Sequence, residues 1–191
     1  MPSPMSRSRA LPGRPCGRGR SAPPRSRSEG SITMKAVIVC VSVSHGNTRR
    51  IADAMGQALA APVVEPEELD PADLAGYDLV GFGSGVFTGR LHPRLRDFVR
   101  TLPSAQRPRR AFVFATSGLP EPGFRPFTRP LARLLEPKGF EVVGNFTTRG
   151  HDTWLPFKLV GGINKHRPDA GDLAAARTFA TGLRARPGRA S

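Results

Sequence analysis

Cysteine, tryptophan and tyrosine are almost missing from this chain of 191 residues, which holds two, one and one of them. Cys16 sits in a polar stretch and Cys40 in an apolar, strand-like run. That placement gives no disulfide framework and suits a reducing cytoplasm. No apolar run reaches the roughly 18 residues of a membrane span, and no continuous apolar stretch marks a secretory signal. A G-x-x-x-x-G-K-[ST] loop is absent, which excludes a Walker-type triphosphate site, and no G-x-G-x-x-G follows the first strand-like run. Neither H-E-x-x-H nor C-x-x-C occurs, and His92, His151 and His166 lack metal-ligand spacing, so no metal site is expected. Ser84, in GSG, does not form a G-x-S-x-G nucleophile elbow, and no catalytic residue set stands out. Acidic residues are scarce as well, 15 against 29 Lys and Arg, for a net charge of +14. Such a balance admits acidic proteins, anionic lipid or nucleic acid as partners. The chain has no aromatic stripe and no nucleic-acid motif, so nucleic acid is not expected.

The charge is unevenly spread. Residues 1–33 carry seven Arg, one acid and almost no large apolar side chain. A segment of that composition does not bury enough surface to fold, and disorder is expected for it. Its Arg and Ser content resembles a transit peptide, although its prolines oppose an amphipathic helix. Translation starting at Met34, directly before the first strand, would account for the tail, and RNA binding by the tail is the other reading. A chain beginning at Met34 is expected to keep the melting temperature of the full chain. A marked drop on truncation would mean that the tail docks on the domain, which the sequence places at 34–185.

From Met34 onward, strand and helix patterns alternate. Ala36–Val41, Pro62–Glu65, Leu79–Phe82, Ala111–Ala115 and Phe140–Phe146 read as short strands. Helical spacing of apolar residues marks Thr48–Ala60, Leu91–Leu102, Phe127–Leu135 and Leu173–Leu183, the last with Asp169 and Asp172 near its start. Continuous rather than alternating apolar strands, separated by helices, predict a three-layer α/β domain. Its doubly wound parallel sheet is covered on both faces.

In such a sheet, ligands bind beyond the carboxyl ends of the strands. Three strand ends here share one chemistry: SVSHGNT after the first, GSGVFTGR after the third, TSGLPEPG after the fourth. All are rich in Gly and hydroxyls, and all are expected at the same edge. The first suits a phosphate. Gly46 lets the backbone turn closely, and Asn47 and Thr48 open a helix whose free N–H groups attract an anion. Ser44 and Thr48 add hydroxyl donors. The lack of Lys points to a monophosphate held by neutral donors. The plainer alternative is an ordinary helix cap by Asn or Thr. His45 either charges and strengthens anion binding or simply caps and packs.

With these motifs in place, the chain resembles the flavodoxin-like family over about residues 34–185. SHGNT is similar to the family's FMN phosphate loop, GSGVFTGRLHP to its second flavin loop, and FATSG to the third. The stretch TTRGHDTWLPFKLVGGINKHRPDAGDLAAARTFATGL also resembles bacterial members. The resemblance implies a five-stranded sheet in the order 2-1-3-4-5 and FMN as cofactor. It implies phosphate contacts from Ser42, Ser44, His45, Gly46, Asn47 and Thr48. It places Gly85, Val86, Phe87 and Thr88 beside the flavin, with Phe87 stacked on the ring, and makes Thr116, Ser117 and Gly118 donors to its polar edge. The implied function is electron transfer with redox partner proteins or a small redox substrate. The alternatives are a small FMN-dependent oxidoreductase of quinone or porphyrinogen type, and a flavin-free protein-interaction module of the same fold.

Two departures from the family stand out. Flavodoxins are typically acidic, whereas residues 34–191 carry 22 basic against 14 acidic residues. Positive surroundings favour the anionic reduced flavin and predict a less reducing cofactor. The flavin loop also offers Phe87 instead of Trp or Tyr. The segment His151–Lys165, which holds Trp154, either folds over the carboxyl edge or packs as a connection.

Overall fold

The computed structural model describes residues 34–43, 46–105, 107–118, 126–149 and 167–185. The expectations placed on residues 1–33 and on 151–165 fall outside the described residues.

Ala36–Val41 forms β1, buried at every position. Val37, Val39 and Val41 enter one core cluster, and Ala36, Ile38 and Cys40 the other. A strand apolar on both faces must be covered on both. The order continues with α1 (Asn47–Leu59), β2 (Val63–Val64), β3 (Leu79–Phe87), β4 (Arg90–Leu91) and α2 (Pro93–Thr101). Then follow β5 (Arg109–Ser117), α3 (Arg129–Leu135), β6 (Phe140–Arg149) and α4 (Ala170–Arg184). The sheet order is β2-β1-β3-β5-β6, and each of these pairings is parallel. The five parallel strands thus take the expected order. The sequence reading missed β4, which pairs antiparallel with the end of β3.

Helices α1 and α4 supply Ile51, Met55, Leu59, Ala176, Ala180 and Leu183 to the cluster on one face. Helices α2 and α3 supply Leu95, Phe98, Val99, Leu131 and Leu135 to the other. On the α1/α4 face, β3 presents alternate glycines and β5 presents rings. A Cβ at Gly81 would lie 2.4 Å from the Phe112 ring, and one at Gly83 only 2.0 Å from Phe114. The two rings stack, with centroids 6.0 Å apart. Bulk on this face therefore comes from β5 and lies across β3.

Three strands run further than expected, among them β6, which reaches Arg149 rather than Phe146. The GSGVFTGR stretch is not a loop: β3 continues through Gly83, Ser84 and Gly85 to Phe87. Only Thr88 and Gly89, at φ 49° and 75°, form the turn into β4. Two central residues at positive φ match the right-handed twist of the strands they join. Likewise β5 continues through Thr116 and Ser117. Their polarity had read as loop, yet each finds a place in the sheet. Ser84 is buried, donates to the Gly85 carbonyl (2.9 Å) and accepts the His92 N–H (2.8 Å). A buried hydroxyl satisfied in both directions costs little within a strand. Helix α4 begins at Ala170, earlier than the expected Leu173, in a reciprocal cap: Asp169 accepts the Asp172 N–H, and Asp172 accepts the Asp169 N–H, both at 2.9 Å.

Candidate functional site at the carboxyl edge

The first of the three strand ends leads from β1 into α1. Ser44 and His45 lie outside the described residues. The residue before the helix is Gly46, left-handed at φ 65°, so the Asn or Thr cap read from the sequence is replaced by a glycine. Asn47 and Thr48 are instead the first helical residues, and both are buried. Among the described residues, nothing lies within 4 Å of where a Cβ at Gly46 would stand. No acidic residue stands in the first turn of α1. A helix N-terminus with no local negative charge attracts an anion. The Ser42 hydroxyl accepts the Arg49 N–H at 3.3 Å, which ties the end of β1 to that turn.

The three strand ends then meet. The hydroxyls of Thr48 and Thr116 lie 2.6 Å apart in a buried contact that joins the first to the third. Gly85 of the second pairs in register with Thr116. A Cβ on Gly85 would lie 3.8 Å from Thr48 Oγ1 and 3.2 Å from Phe87 Cε2. Thr48, Gly85, Phe87 and Thr116 therefore share one small region. The ladder of Gly81 with Phe112 and Gly83 with Phe114 ends there in Gly85 with Thr116, and the face turns from aromatic to polar. Ser117, the next residue along β5, is also buried, and Gly118 follows it. Phe87 stays 37% exposed and Val43, just after β1, 50% exposed.

Two of the expected residues stand apart from this group. Val86, one residue out of phase with Gly85 and Phe87, packs against the α2/α3 core and pairs with Leu91. Thr88 is exposed at the hairpin tip.

Two neighbours were not singled out from the sequence. His92, considered there only as a metal ligand, sits edge-on to Phe87, with ring centroids 5.3 Å apart and planes at 83°. The sequence carried little signal for this: Thr-Gly is not among the dipeptides that mark a two-residue hairpin, and β-branched Thr88 adopts its positive φ unfavourably. On the other side, Thr148 of β6 pairs in register with Thr116 and donates to Asp172 Oδ1 at 2.8 Å. Arg167 donates to the same oxygen at 2.6 Å. This continuation of the polar row depends on strand register, which the sequence does not display.

Three arginines at this edge are paired. Arg49 bonds Asp53 at 2.9 Å, and Arg94 bonds Glu65 and Glu67 at 2.9 and 2.6 Å. The Arg94 contact holds the Glu67 carboxyl below its usual range. Arg167 bonds Asp172. Cys40, near the end of β1, is buried, and burial pushes its thiol up to about 12. It is a core residue and not a nucleophile. Among the described residues, no group of His, Cys, Asp and Glu is placed to hold a metal ion, and no helix is long and apolar enough to cross a membrane.

Comparison with known proteins agrees with this architecture. The pattern of the flavodoxin domain matches residues 38–142. An uncharacterised protein of Methanocaldococcus jannaschii is 35% identical over 150 residues, covering 78% of this chain and 98% of that one. Oxidised flavodoxin 2 of Bacillus cereus superposes with a TM-score of 0.59 at 21% identity, over 78% of this chain and 97% of its own. The flavodoxin of Streptococcus pneumoniae gives 0.57 at 18% identity, over 78% and 98%. These structural likenesses speak to fold, while the domain pattern and the archaeal relative speak to descent. The chain belongs to the flavodoxin family.

Proposed function

We propose that the protein binds FMN and transfers electrons in the manner of a flavodoxin. The observation that carries this reading is the meeting of three strand ends at one point, with Thr48 Oγ1 2.6 Å from Thr116 Oγ1 beside Gly85 and Phe87. The donor set fits a flavin mononucleotide: a helix N-terminus without acids for the phosphate, hydroxyls behind it and an exposed aromatic beside it. One phosphate segment and no dinucleotide fingerprint favour FMN over FAD or NAD.

In this reading Ser42, Ser44, His45, Gly46, Asn47 and Thr48 hold the phosphate. Gly85 and Phe87 border the ring, Val86 and Thr88 complete the hairpin that carries them, and Thr116, Ser117 and Gly118 donate to the ring's polar edge. Bound FMN supplies one- and two-electron chemistry, and the protein binds, orients and partly shields it from water. No side chain is required to move a proton. Titration with FMN is expected to quench flavin fluorescence and shift its visible bands, with FAD binding more weakly. An unchanged spectrum at saturating protein would overturn the reading. Turnover of NAD(P)H with a quinone would instead favour a flavin-dependent oxidoreductase over a carrier.

Phe87→Ala is expected to loosen FMN by about 0.5–1.5 kcal/mol of aromatic contact plus lost burial. An aromatic face disfavours the electron-rich reduced ring, so its removal should also raise the midpoint potential, on the order of tens of millivolts. Spectroelectrochemistry reads both. Because Arg49, Arg94 and Arg167 at the edge are paired, added salt should move the potential only slightly. A large salt dependence would place unpaired charge beside the flavin.

A further inference from the structure

We propose that neutral His92 is a positioning residue for Phe87, bracing its ring at the carboxyl edge, and that protonation of His92 releases the brace. Its bearing on flavin binding rests on the FMN reading above. The Thr88–Gly89 turn carries the chain back along β3, so that His92 returns beside Phe87. The two rings meet edge to face, a favourable arrangement for aromatic pairs.

His92 is fastened on three sides. Its N–H donates to Ser84 Oγ at 2.8 Å, which pins it to β3. Its carbonyl accepts the Arg96 N–H at 3.3 Å. Its Nδ1 accepts the Arg94 N–H at 3.2 Å, so the imidazole ring itself caps α2. A ring nitrogen that accepts carries no proton, which places the neutral ring's proton on Nε2. Once the ring is protonated, Nδ1 becomes a donor and faces another donor, the Arg94 N–H. The cap is lost, the ring must turn, and its edge leaves Phe87.

The surroundings resist that protonation. Arg94 and Arg96 of α2 and Arg90 of β4 bring positive charge to this end of the hairpin. Glu65 and Glu67, after β2, are already bound to Arg94. From β3 the ring meets Ser84 and Phe87, neither of them charged. Partial burial, with Arg94 and Arg96 behind it, holds His92 below its ordinary value of 6.5. The folded chain therefore binds this proton more weakly than the unfolded chain. The brace is complete above about pH 6.5 and is lost as pH falls through the lower folded value.

Two measurements on the full-length protein test the proposal. Without flavin, NMR follows the rings of His92 and Phe87 and the Arg94 amide between about pH 8 and 5. All three signals are expected to move with one midpoint below 6.5. Titration of His92 with no response from Phe87 and Arg94 would overturn the brace. With FMN, the fall in affinity of the wild type from about pH 7.5 to 5.5 is compared with that of His92→Asn. Asn keeps a capping acceptor but has neither ring nor titration. The FMN phosphate also titrates in this range, so the difference between the two proteins is the quantity read. The wild type is expected to lose about three- to tenfold more affinity on acidification than the variant, the equivalent of one aromatic contact. At pH 7.5 the variant should bind several-fold more weakly. Equal pH profiles for the two proteins would overturn the proposal. If the wild type binds no FMN at either pH while Phe87 and Arg94 follow His92, the brace stands and the FMN reading falls.

Discussion

Replacing Asn47 and Thr48 together with Ala is expected to raise the Kd for FMN about a hundredfold or more. Each hydrogen bond from a neutral side chain to a charged phosphate contributes about 1.5–3 kcal/mol, and a tenfold change in affinity is about 1.4 kcal/mol. Backbone N–H groups of the first helical turn remain in the double variant, so binding should weaken without vanishing. Thr48→Ala also removes the partner of the Thr116 hydroxyl, only 2.6 Å away in a buried setting. That loss should lower stability by about 1 kcal/mol, so melting needs to be recorded beside affinity. Thr48→Ser keeps the hydroxyl and should retain most of the affinity. An FMN titration in which the double variant binds like the wild type would remove the phosphate from this helix.

The second large effect concerns packing. Gly83→Ala is expected to destabilise the fold by about 3 kcal/mol or more, at the upper end of what overpacking a core costs. The new methyl would lie 2.0–2.3 Å from three atoms of the Phe114 ring. The ring cannot step aside easily, because Phe114 is fully buried and stacked on Phe112, which in turn meets Phe179 of α4. Nor can the backbone move far, since β3 is bonded to β1 on one side and β5 on the other. Denaturant unfolding measures the loss. Adding Phe114→Leu removes the ring atoms in conflict, so the pair should be less unstable than the sum of the two changes by about 1–2 kcal/mol. Additive losses, or a Gly83→Ala variant as stable as the wild type, would show that the sheet relaxes around the clash.

The sequence revealed the strand–helix alternation because the two cores need apolar residues with those periods. Val37 to Val41 and Ile51, Met55 and Leu59 mark their elements by spacing alone. It concealed where the strands end. Ser84, Thr116 and Ser117 are small and polar, and they read as loop, yet each is buried in the sheet. Hydropathy alone does not separate a hydroxyl satisfied inside a strand end from one in a turn. The candidate site was legible as three similar segments, because all parallel strands share one carboxyl edge. The contact of Thr48 with Thr116 depends on how α1 sits over β5, and that of His92 with Phe87 on the register of a hairpin. Neither leaves a local mark. The pairing of charge at the edge was hidden for a related reason. Arg94, Glu65 and Glu67 lie far apart in the chain and come together only in the fold.

The hairpin that carries Phe87 has a thermodynamic consequence. Fixing the backbone of one residue costs about 1–2 kcal/mol in lost conformational freedom. Because β3 runs unbroken to Phe87 and turns back within two residues, the chain has met that cost on folding for this wall of the site. A ligand arriving there would order little additional backbone. The heat-capacity change on binding should then follow the apolar area covered, without the larger contribution that accompanies the folding of a loose loop around its ligand.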